Sequence, residues 1–151
     1  MEVDLGRWIQ TEPLDLGALL AEASDPASGA VVVFCGRVRD HNEGRRVRSL
    51  AYDAHVAIAE RVLRDLEGEV VARFGVRCCR IQHRVGPLAL EEPSVYIVVA
   101  SPHREEAFAA AVYAIDTLKA RAPIWKEERY DDGDSRFVEG VPLAPPGRSE
   151  P

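Results

Sequence analysis

Apolar and polar positions along the chain predict several extended segments separated by short polar turns. The strongest are β-branched apolar runs, and the others alternate between apolar and polar residues as half-buried strands do. The predicted strands are Gly6–Gln10, Ala30–Val38, Val47–Asp53, Val76–Arg84, Ser94–Ala100, Ile124–Tyr130 and, as a last edge strand, Ser135–Glu139. The connections rich in proline, glycine or charge are interpreted as turns or loops. They are Ser24–Gly29, Asp40–Arg46 and Val85–Pro93.

Helical spacing of apolar residues predicts two main helices and a short one near the N-terminus. The short helix follows Pro13, and the first main helix covers about His55–Phe74. The second covers about Pro102–Arg121, with Ser101 as its N-cap and Pro123 as its end. The pattern predicts an α+β fold with a mixed or antiparallel sheet.

A helical wheel of the second main helix places large apolar residues on one stripe. Phe108, Val112 and Ile115 fall close together, with Ala111 beside them, and this stripe is predicted to face the core. Lys119 falls in the middle of the stripe at the last turn of the helix. Its stem is expected to lie along apolar surface while its amine reaches a pocket.

Lysine is scarce in this chain, which contains 19 lysine and arginine residues, of which only Lys119 and Lys126 are lysines. A partly desolvated lysine amine can act as a nucleophile or proton carrier, whereas arginine stays protonated. The alternative interpretation is a solvated charge that stabilises the C-terminus of the helix. Lys126 lies beyond Pro123, so it can fold back beside Lys119. Its alternative is a surface charge cluster with Glu127 and Glu128.

A second polar cluster opens the same helix. His103 and Arg104 lie in the first turn, where free N–H groups and the helix dipole favour an anion. Many helices begin this way without a ligand. A helix of about 18 residues separates its ends by roughly 27 Å. A site shared across a dimer, or a long substrate, would bring His103 and Lys119 together.

Composition and charge exclude several classes of protein. The net charge is −6, which argues against general nucleic-acid binding, although five arginines and His41 crowd between Arg37 and Arg48. That group is either a local anion-binding patch or a solvated hairpin loop. No apolar run reaches the roughly 20 residues of a membrane span, and the N-terminus lacks the pattern of a signal peptide. We therefore expect a cytoplasmic protein.

The three cysteines do not predict a metal site. Cys35 lies in an apolar run and Cys78 and Cys79 are neighbours, so there is no CxxC motif. We expect ordinary buried or half-buried thiols and no bound metal.

Five segments together resemble one known family. They are FCGRVRDHNEG (34–44), LAYDAH (50–55), HRVG (83–86), SPHRE (101–105) and LKARAPIWKEE (118–128). In combination they resemble the catalytic, large subunit of molybdopterin synthase, the MoaE family. The likeness covers about Gly29 to Gly140. Phe137 departs from the family, which often has tryptophan there.

The resemblance implies a fold, partners and a reaction. The fold is an α/β-hammerhead, in a single domain over residues 1–140 with a disordered tail over 141–151. The family forms a homodimer, and a small ubiquitin-like sulfur-carrier subunit docks at each end to give a heterotetramer. The thiocarboxylate at the end of that small subunit supplies two sulfurs to cyclic pyranopterin monophosphate, which becomes the dithiolene of molybdopterin. No cofactor or metal takes part in this step.

The resemblance also implies site residues. It assigns substrate binding to nine positions: Arg37, Val38, Arg39, His103, Arg104, Lys119, Lys126, Glu127 and Glu128. Lys119 and Lys126 are the predicted catalytic residues. Two other functions stay open from the sequence: a non-catalytic module that binds pterin or phosphate, and a structural subunit that binds only the small partner.

Overall fold

The computed structural model describes residues 8–138 of the chain. This part contains three helices and two β-sheets, so the predicted α+β fold is confirmed. The helices are α1 (Leu16–Glu22), α2 (Val56–Phe74) and α3 (Arg104–Arg121). The strands are β1 (Ile9–Gln10), β2 (Ala30–Arg37), β3 (His41–Asn42), β4 (Arg45–Ala54), β5 (Cys78–Arg84), β6 (Gly86–Leu88), β7 (Pro93–Ser101), β8 (Ile124–Tyr130) and β9 (Ser135–Val138). The predicted disordered tail, 141–151, lies outside the described residues.

The first sheet forms the centre of the described part. Its strand order is β1-β5-β7-β2, in which β1 and β5 are parallel and the other neighbours are antiparallel. Helices α2 and α3 cover one face and α1 covers part of the other. The side chains of Leu63, Leu66 and Val70 are buried in the resulting core. Each such side chain contributes about 1.5–3 kcal/mol to folding.

The second sheet is antiparallel and lies beside the first. Its strand order is β3-β4-β8-β9, and β6 pairs with β4 as well. Ala122 leaves the helical region at the end of α3, as the following proline requires. Strand β8 then begins at Ile124. The turn at Pro123 therefore connects the main helix of one sheet directly to a central strand of the other.

The predicted core-facing stripe of α3 is confirmed only for Ala111, which is buried, and Ile115, which is half-buried against the core; its other members are exposed. The side chains of Phe108 and Val112 are exposed, at 58% and 60%, and Lys119 on the same side is exposed as well. The buried face consists mainly of small residues: Ala107, Ala110, Ala111, Ala114, Thr117 and Leu118. The prediction assumed that the largest apolar residues face the core. In the structure, alanines face the first sheet and allow α3 to approach it closely.

Two predicted connections contain β-structure. Within Asp40–Arg46, β3 and the start of β4 form a hairpin whose turn is Glu43-Gly44, both with positive φ (50° and 78°). Within Val85–Pro93, Gly86 begins the short strand β6. Both elements form because β4 supplies pairing partners, which local composition does not reveal.

The predicted N-cap of α3 is also wrong. Ser101 is the last residue of β7, and its carbonyl accepts a hydrogen bond from Gly29 N at 3.0 Å. Because Ser101 belongs to the sheet, the helix begins only at Arg104, with His103 at the N-cap position. His103 makes no side-chain capping hydrogen bond.

A buried charged group joins α1, α2 and β5. Arg80 is 5% exposed and forms ion pairs with Glu67 of α2 and Glu22 of α1. The carboxylate of Glu67 also accepts from Ile81 N at 2.7 Å. Burial raises the pKa of Glu67, although its donors oppose that effect. This pairing is structural and lies apart from the predicted site residues.

In residues 8–138, every helix is too short or too polar to pass through a bilayer.

The close approach of β2 to the start of α3 generates a stability prediction. A Cβ atom on Gly29 would lie 2.7 Å from the carbonyl oxygen of Pro102, a backbone atom that cannot rotate away. We expect Gly29→Ala to lower the free energy of unfolding by about 1–3 kcal/mol, as overpacking does. Urea denaturation measures the change.

Gly68→Ala is the matched control. Gly68 lies inside α2, and its Cβ would meet nothing within 4 Å. This change should raise the free energy of unfolding by about 0.5–1 kcal/mol. Equal effects of the two substitutions would contradict the predicted clash at Gly29.

Candidate active site

The predicted site residues lie at opposite ends of α3. The helix starts three residues after β7 ends and packs back across β7 and β2. Its start is therefore near Ser101, and its last turn is near Pro93, which pairs with Arg37 of β2. We call the first group, His103 and Arg104, the helix-start end. The second group, the lysine end, comprises residues 37–39, Lys119 and residues 126–128.

The helix-start end borders an open cleft of about 550 Å³. Gly29 and Ala30 form one wall, and residues 102–106 form the other. The cleft carries mixed charge, because Glu105 and Glu106 follow Arg104. Beneath it Ser101 is 1% exposed, and its hydroxyl has no hydrogen-bond partner within residues 8–138. The arrangement offers backbone N–H groups, the Arg104 guanidinium and the His103 imidazole to a small anion.

At the lysine end, Lys126 is held in a buried polar network. Its side chain is 16% exposed, and its Nζ lies 3.6 Å from Glu128 Oε2. Glu128 is itself 3% exposed. Glu128 Oε1 accepts hydrogen bonds from Asn42 Nδ2 at 2.7 Å and from the Tyr130 hydroxyl at 2.9 Å. Burial and this hydrogen bond to Glu128 raise the pKa of Tyr130, which stays a donor.

Strand alternation separates Glu127 from its two neighbours. Lys126 pairs with Tyr52 and Glu128 pairs with Leu50, so both side chains lie on one face of the second sheet. Glu127 lies on the other face, where its carboxylate is 3.7 Å from Arg129. The three residues of this predicted run therefore do not converge, and substrate binding by Glu127 stays a prediction.

Residues 37–39 lie at the end of β2 and differ in their surroundings. Arg37 pairs with Glu91, through its carbonyl at 3.1 Å and its carboxylate at 3.3 Å. The side chain of Val38 is buried with Leu50 and Leu88. Its N–H and carbonyl bond to neighbouring backbone. Arg39 is exposed, and its guanidinium lies 3.5 Å from Asn42 Oδ1. Of these three residues, Arg39 is the one whose side chain can best meet an anion.

The arginine-rich segment is largely neutralised by acidic partners. Arg45 pairs with Asp132 and Asp134 at 2.7 and 3.1 Å, and Arg46 pairs with Asp131 at 3.3 Å. The Arg45 guanidinium also lies 3.8 Å from the centre of the Tyr130 ring. Most of this segment therefore acts as a hairpin fastened to the loop before β9, which was one of the two interpretations.

His83 is a buried histidine that connects the surroundings of the two predicted catalytic lysines. Its ring meets Tyr52 edge-on at 4.8 Å, and Tyr52 is the strand partner of Lys126. Burial, with a smaller contribution from the nearby charge of Lys119, lowers the pKa of His83 to about 4. Nδ1 lies 2.8 Å from the carbonyl of Arg84, so Nδ1 carries the proton and Nε2 is an acceptor. An uncharged imidazole therefore lies near Lys119 and contacts the strand partner of Lys126.

Sequence reasoning missed four residues of this network. Asn42, Tyr52 and His83 stood inside segments quoted for the family resemblance, but no spacing rule assigned them a chemical role. Tyr130 stood in a predicted strand without any such signal. Alternation along β8 could have placed Tyr130 on the face of Lys126 and Glu128. Within residues 8–138, no three His, Cys, Asp or Glu side chains are grouped as metal ligands.

The buried neutral histidine generates a pH prediction. The pKa of His83 is about 4 in the folded chain and about 6.5 in the unfolded chain, so only the unfolded chain gains a proton between those values. The titration of His83 therefore costs no free energy of unfolding above pH 6.5 and lowers this free energy progressively as the pH falls towards 4. At pH 4.5 we expect the loss through His83 to be about 2–3 kcal/mol. Urea denaturation gives the free energy of unfolding of the parent chain and of His83→Gln, each at pH 7 and at pH 4.5. The parent chain should lose more of this free energy between the two pH values, and the excess is the contribution of His83.

The comparison of the two chains separates the titration of His83 from that of the carboxylates. Carboxylates also titrate in this range, and they should affect both chains equally. Parallel pH dependences of the two chains would contradict a neutral buried imidazole.

Comparison with known proteins agrees with these features. Residues 9–121 match the model of the family described as MoaE protein. A molybdopterin synthase catalytic subunit from Nostoc sp. is 45% identical over 127 residues, covering 83% of this chain and 77% of that protein.

Solved structures show the same fold. The crystal structure of molybdopterin synthase from Staphylococcus aureus superimposes with a TM-score of 0.82 at 35% identity, covering 87% of this chain and 95% of that one. A complex of subunits 1 and 2 of the molybdopterin-converting factor from Helicobacter pylori matches with a TM-score of 0.72 at 25% identity, covering 90% and 93%. By its sequence match over residues 9–121 and by its fold, the chain belongs to the MoaE family.

Proposed function

We propose that this chain is the catalytic subunit of a molybdopterin synthase. It transfers two sulfurs to cyclic pyranopterin monophosphate, one from the thiocarboxylated C-terminus of each of two copies of a small partner, forming the dithiolene of molybdopterin. The observation that carries the proposal is the lysine end in a member of the MoaE family. There the buried carboxylate of Glu128 holds Lys126. Burial and the nearby charge of Lys119 lower the pKa of His83. The ring of His83 contacts Tyr52, which is the strand partner of Lys126.

In this mechanism the two amines have different tasks. Lys119 is exposed at the last turn of α3, where the carbonyl of an incoming thiocarboxylate tail can reach it. It stabilises developing charge at that carbonyl or exchanges protons with it. Lys126 is held by Glu128 and balances the phosphate charge, protonating the leaving oxygen as the cyclic phosphate opens. Each proton-transfer role is worth roughly 10² to 10⁴ in rate.

The cations predicted to bind phosphate are Arg39, His103 and Arg104. Arg39 belongs to the lysine end, but the other two lie at the far end of α3. Seventeen residue steps of helix separate Arg104 from Arg121, roughly 26 Å. One copy of the chain therefore does not bring all three to one phosphate. The proposal requires a second copy whose helix-start end approaches the lysine end of the first.

The outer side of α3 provides a surface for that second copy. Phe108 and Val112 are exposed there, and they lie on the side of α3 that faces away from α2. In a two-fold arrangement with antiparallel α3 helices, the start of one helix approaches the end of the other. This geometry supports a homodimer with composite sites.

The small partner completes the assembly. The solved complex of subunits 1 and 2 from Helicobacter pylori shows that a relative with this fold binds a second kind of subunit. By analogy, one small ubiquitin-like partner on each copy gives a heterotetramer. Its C-terminal tail inserts at the lysine end.

The proposed reaction uses no cofactor and no cysteine of this chain. The sulfur arrives on the partner's tail. Burial raises the pKa of the Cys79 thiol, with the charge of Glu67 adding to the effect. Such a thiol is a poor nucleophile at neutral pH, because the thiolate is the reactive form.

Replacement of Lys119 tests the amine. We expect both Lys119→Arg and Lys119→Ala to lower kcat/KM for product formation at least about 100-fold, because a guanidinium does not exchange protons. Purified chain, thiocarboxylated partner and cyclic pyranopterin monophosphate are mixed, and molybdopterin is quantified. The unfolding midpoint should stay near that of the parent, because the side chain is exposed.

Arg64→Lys is the control, since Arg64 is exposed on α2 and its one ion pair within residues 8–138 is with its neighbour Asp65 at 3.5 Å. Near-normal activity of Lys119→Arg would reject the amine-specific role. If the parent chain formed no product, and both it and Lys119→Arg bound the pterin in a thermal-shift assay, a non-catalytic pterin-binding or phosphate-binding module would be the better description.

Replacement of Val112 tests the second copy. We expect Val112→Glu to convert the dimer to a monomer by light scattering, because a buried carboxylate without a partner is unfavourable. Activity should fall with it, although Lys119 and Lys126 are unchanged. Ile58→Glu, at a residue 41% exposed on α2, is the control and should stay dimeric. A Val112→Glu dimer of full activity would remove α3 from the interface.

A further inference from the structure

Asn42 connects two of the predicted site residues. It is the only asparagine in the sequence and lies in β3, just before the Glu43-Gly44 turn. Its Oδ1 faces Arg39 Nη2 at 3.5 Å, and its Nδ2 donates to Glu128 Oε1 at 2.7 Å. A guanidinium only donates and a carboxylate only accepts, so one orientation of the amide satisfies both contacts. Aspartate or leucine at this position could satisfy at most one of them.

Glu128 also contacts the predicted catalytic amine of Lys126. Its second oxygen, Oε2, lies 3.6 Å from Lys126 Nζ. The carboxylate is almost fully buried, so hydrogen bonds from its donors replace those that water would make. The Tyr130 hydroxyl is its other neutral donor, at 2.9 Å. Arg39, Asn42, Glu128 and Lys126 therefore form one continuous chain of polar contacts.

The hairpin that carries Asn42 is fastened at its turn and on the strand that follows the turn. Arg45, the strand partner of Asn42, binds Asp132 and Asp134 and covers the ring of Tyr130. Glu43, in the turn itself, pairs with Arg136 of β9. These contacts hold the backbone of Asn42 against β8. The amide is thus a fixed element rather than a mobile surface group.

We propose that Asn42 is a positioning residue that sets Arg39 and Lys126 at a fixed separation by way of Glu128. Its catalytic meaning rests on the proposed function, in which Arg39 holds the phosphate and Lys126 protonates the leaving oxygen. An amide can do this because it donates to one partner and accepts from the other. A carboxylate at this position would repel Glu128, and an aliphatic side chain would leave Glu128 short of a donor.

Acylation of the two lysines tests the Glu128 half of the proposal without any substrate. The chain is treated with a trace of acetic anhydride at pH 8, and mass spectrometry quantifies modification of Lys126 relative to Lys119. In Asn42→Leu, which has a similar shape, Glu128 loses a donor that fixes its carboxylate, so its contact with Lys126 weakens and the amine becomes more accessible. We expect the Lys126 to Lys119 ratio to rise about threefold or more, the equivalent of one ordinary hydrogen bond.

Two further variants make this result specific. Tyr130→Phe removes the other donor to the same oxygen and should raise the ratio as well. Asp65→Asn removes an exposed carboxylate of α2, which pairs with Arg64 outside this network, and should leave the ratio unchanged. A ratio for Asn42→Leu within the error of the parent, or equal to that of Asp65→Asn, overturns the proposal.

Kinetics separate the two halves of the network. Asn42→Leu should raise the KM for cyclic pyranopterin monophosphate through Arg39 and lower kcat through Lys126, each by about threefold to tenfold. Tyr130 does not contact Arg39 in the network, so Tyr130→Phe should lower kcat and leave KM unchanged. Equal KM changes in the two variants would reject the Arg39 half. If the parent chain forms no product at all, the proposed function fails, while the acylation ratio still decides the coupling.

A measurement on the parent chain covers the case in which Asn42→Leu does not fold. The side-chain amide of Asn42 gives a single asparagine NH₂ pair in an amide NMR spectrum, because no other asparagine is present. Its hydrogen exchange should be at least about tenfold slower than in an unstructured peptide, as for a bonded amide held in place. Exchange at the peptide rate overturns the proposal.

Discussion

The turn at Pro123 is the constraint on which the arrangement of this molecule depends. Proline cannot continue α3, and the residue before it must leave the helical region. Ala122 does so, and the Pro123 carbonyl accepts a hydrogen bond from His55 N at 3.1 Å, next to the start of α2. Strand β8 then pairs along β4. One proline thus fixes where the helix of the first sheet ends and where the strand that carries Lys126 begins.

Buried charge is used for two purposes in this fold. The ion pairs of Arg80 with Glu67 and Glu22 join two helices to β5, and the guanidinium is almost fully buried. The Glu128 carboxylate is equally buried, but its cation Lys126 reaches towards the lysine end with part of its side chain exposed. Removing either carboxylate's donors would leave an uncompensated buried charge. For Glu128, such a change would directly affect the predicted catalytic amine of Lys126, which the carboxylate contacts.

Local patterns predicted most of the secondary structure, and packing corrected the rest. The spacing of Leu63, Leu66 and Val70 identified the buried face of α2, because large apolar residues do face the core there. The same reasoning failed for α3, where alanines face the sheet and Phe108 is exposed. Strands β3 and β6 were missed because each exists only by pairing with β4. Hydrophobic size is therefore a good guide where a helix has one large apolar stripe, and a poor one where close approach is required.

The sequence by itself determined the chemistry available to this protein. It showed two amines in an arginine-rich chain, a proline between them, and motifs of one family, all of which depend only on residue identity and order. Tertiary structure alone decided which groups meet. It turned Glu127 away from Lys126 and joined Arg39 to Lys126 through Asn42 and Glu128. These contacts cross between strands remote in sequence, and register and burial, which set them, are properties of the assembled sheets.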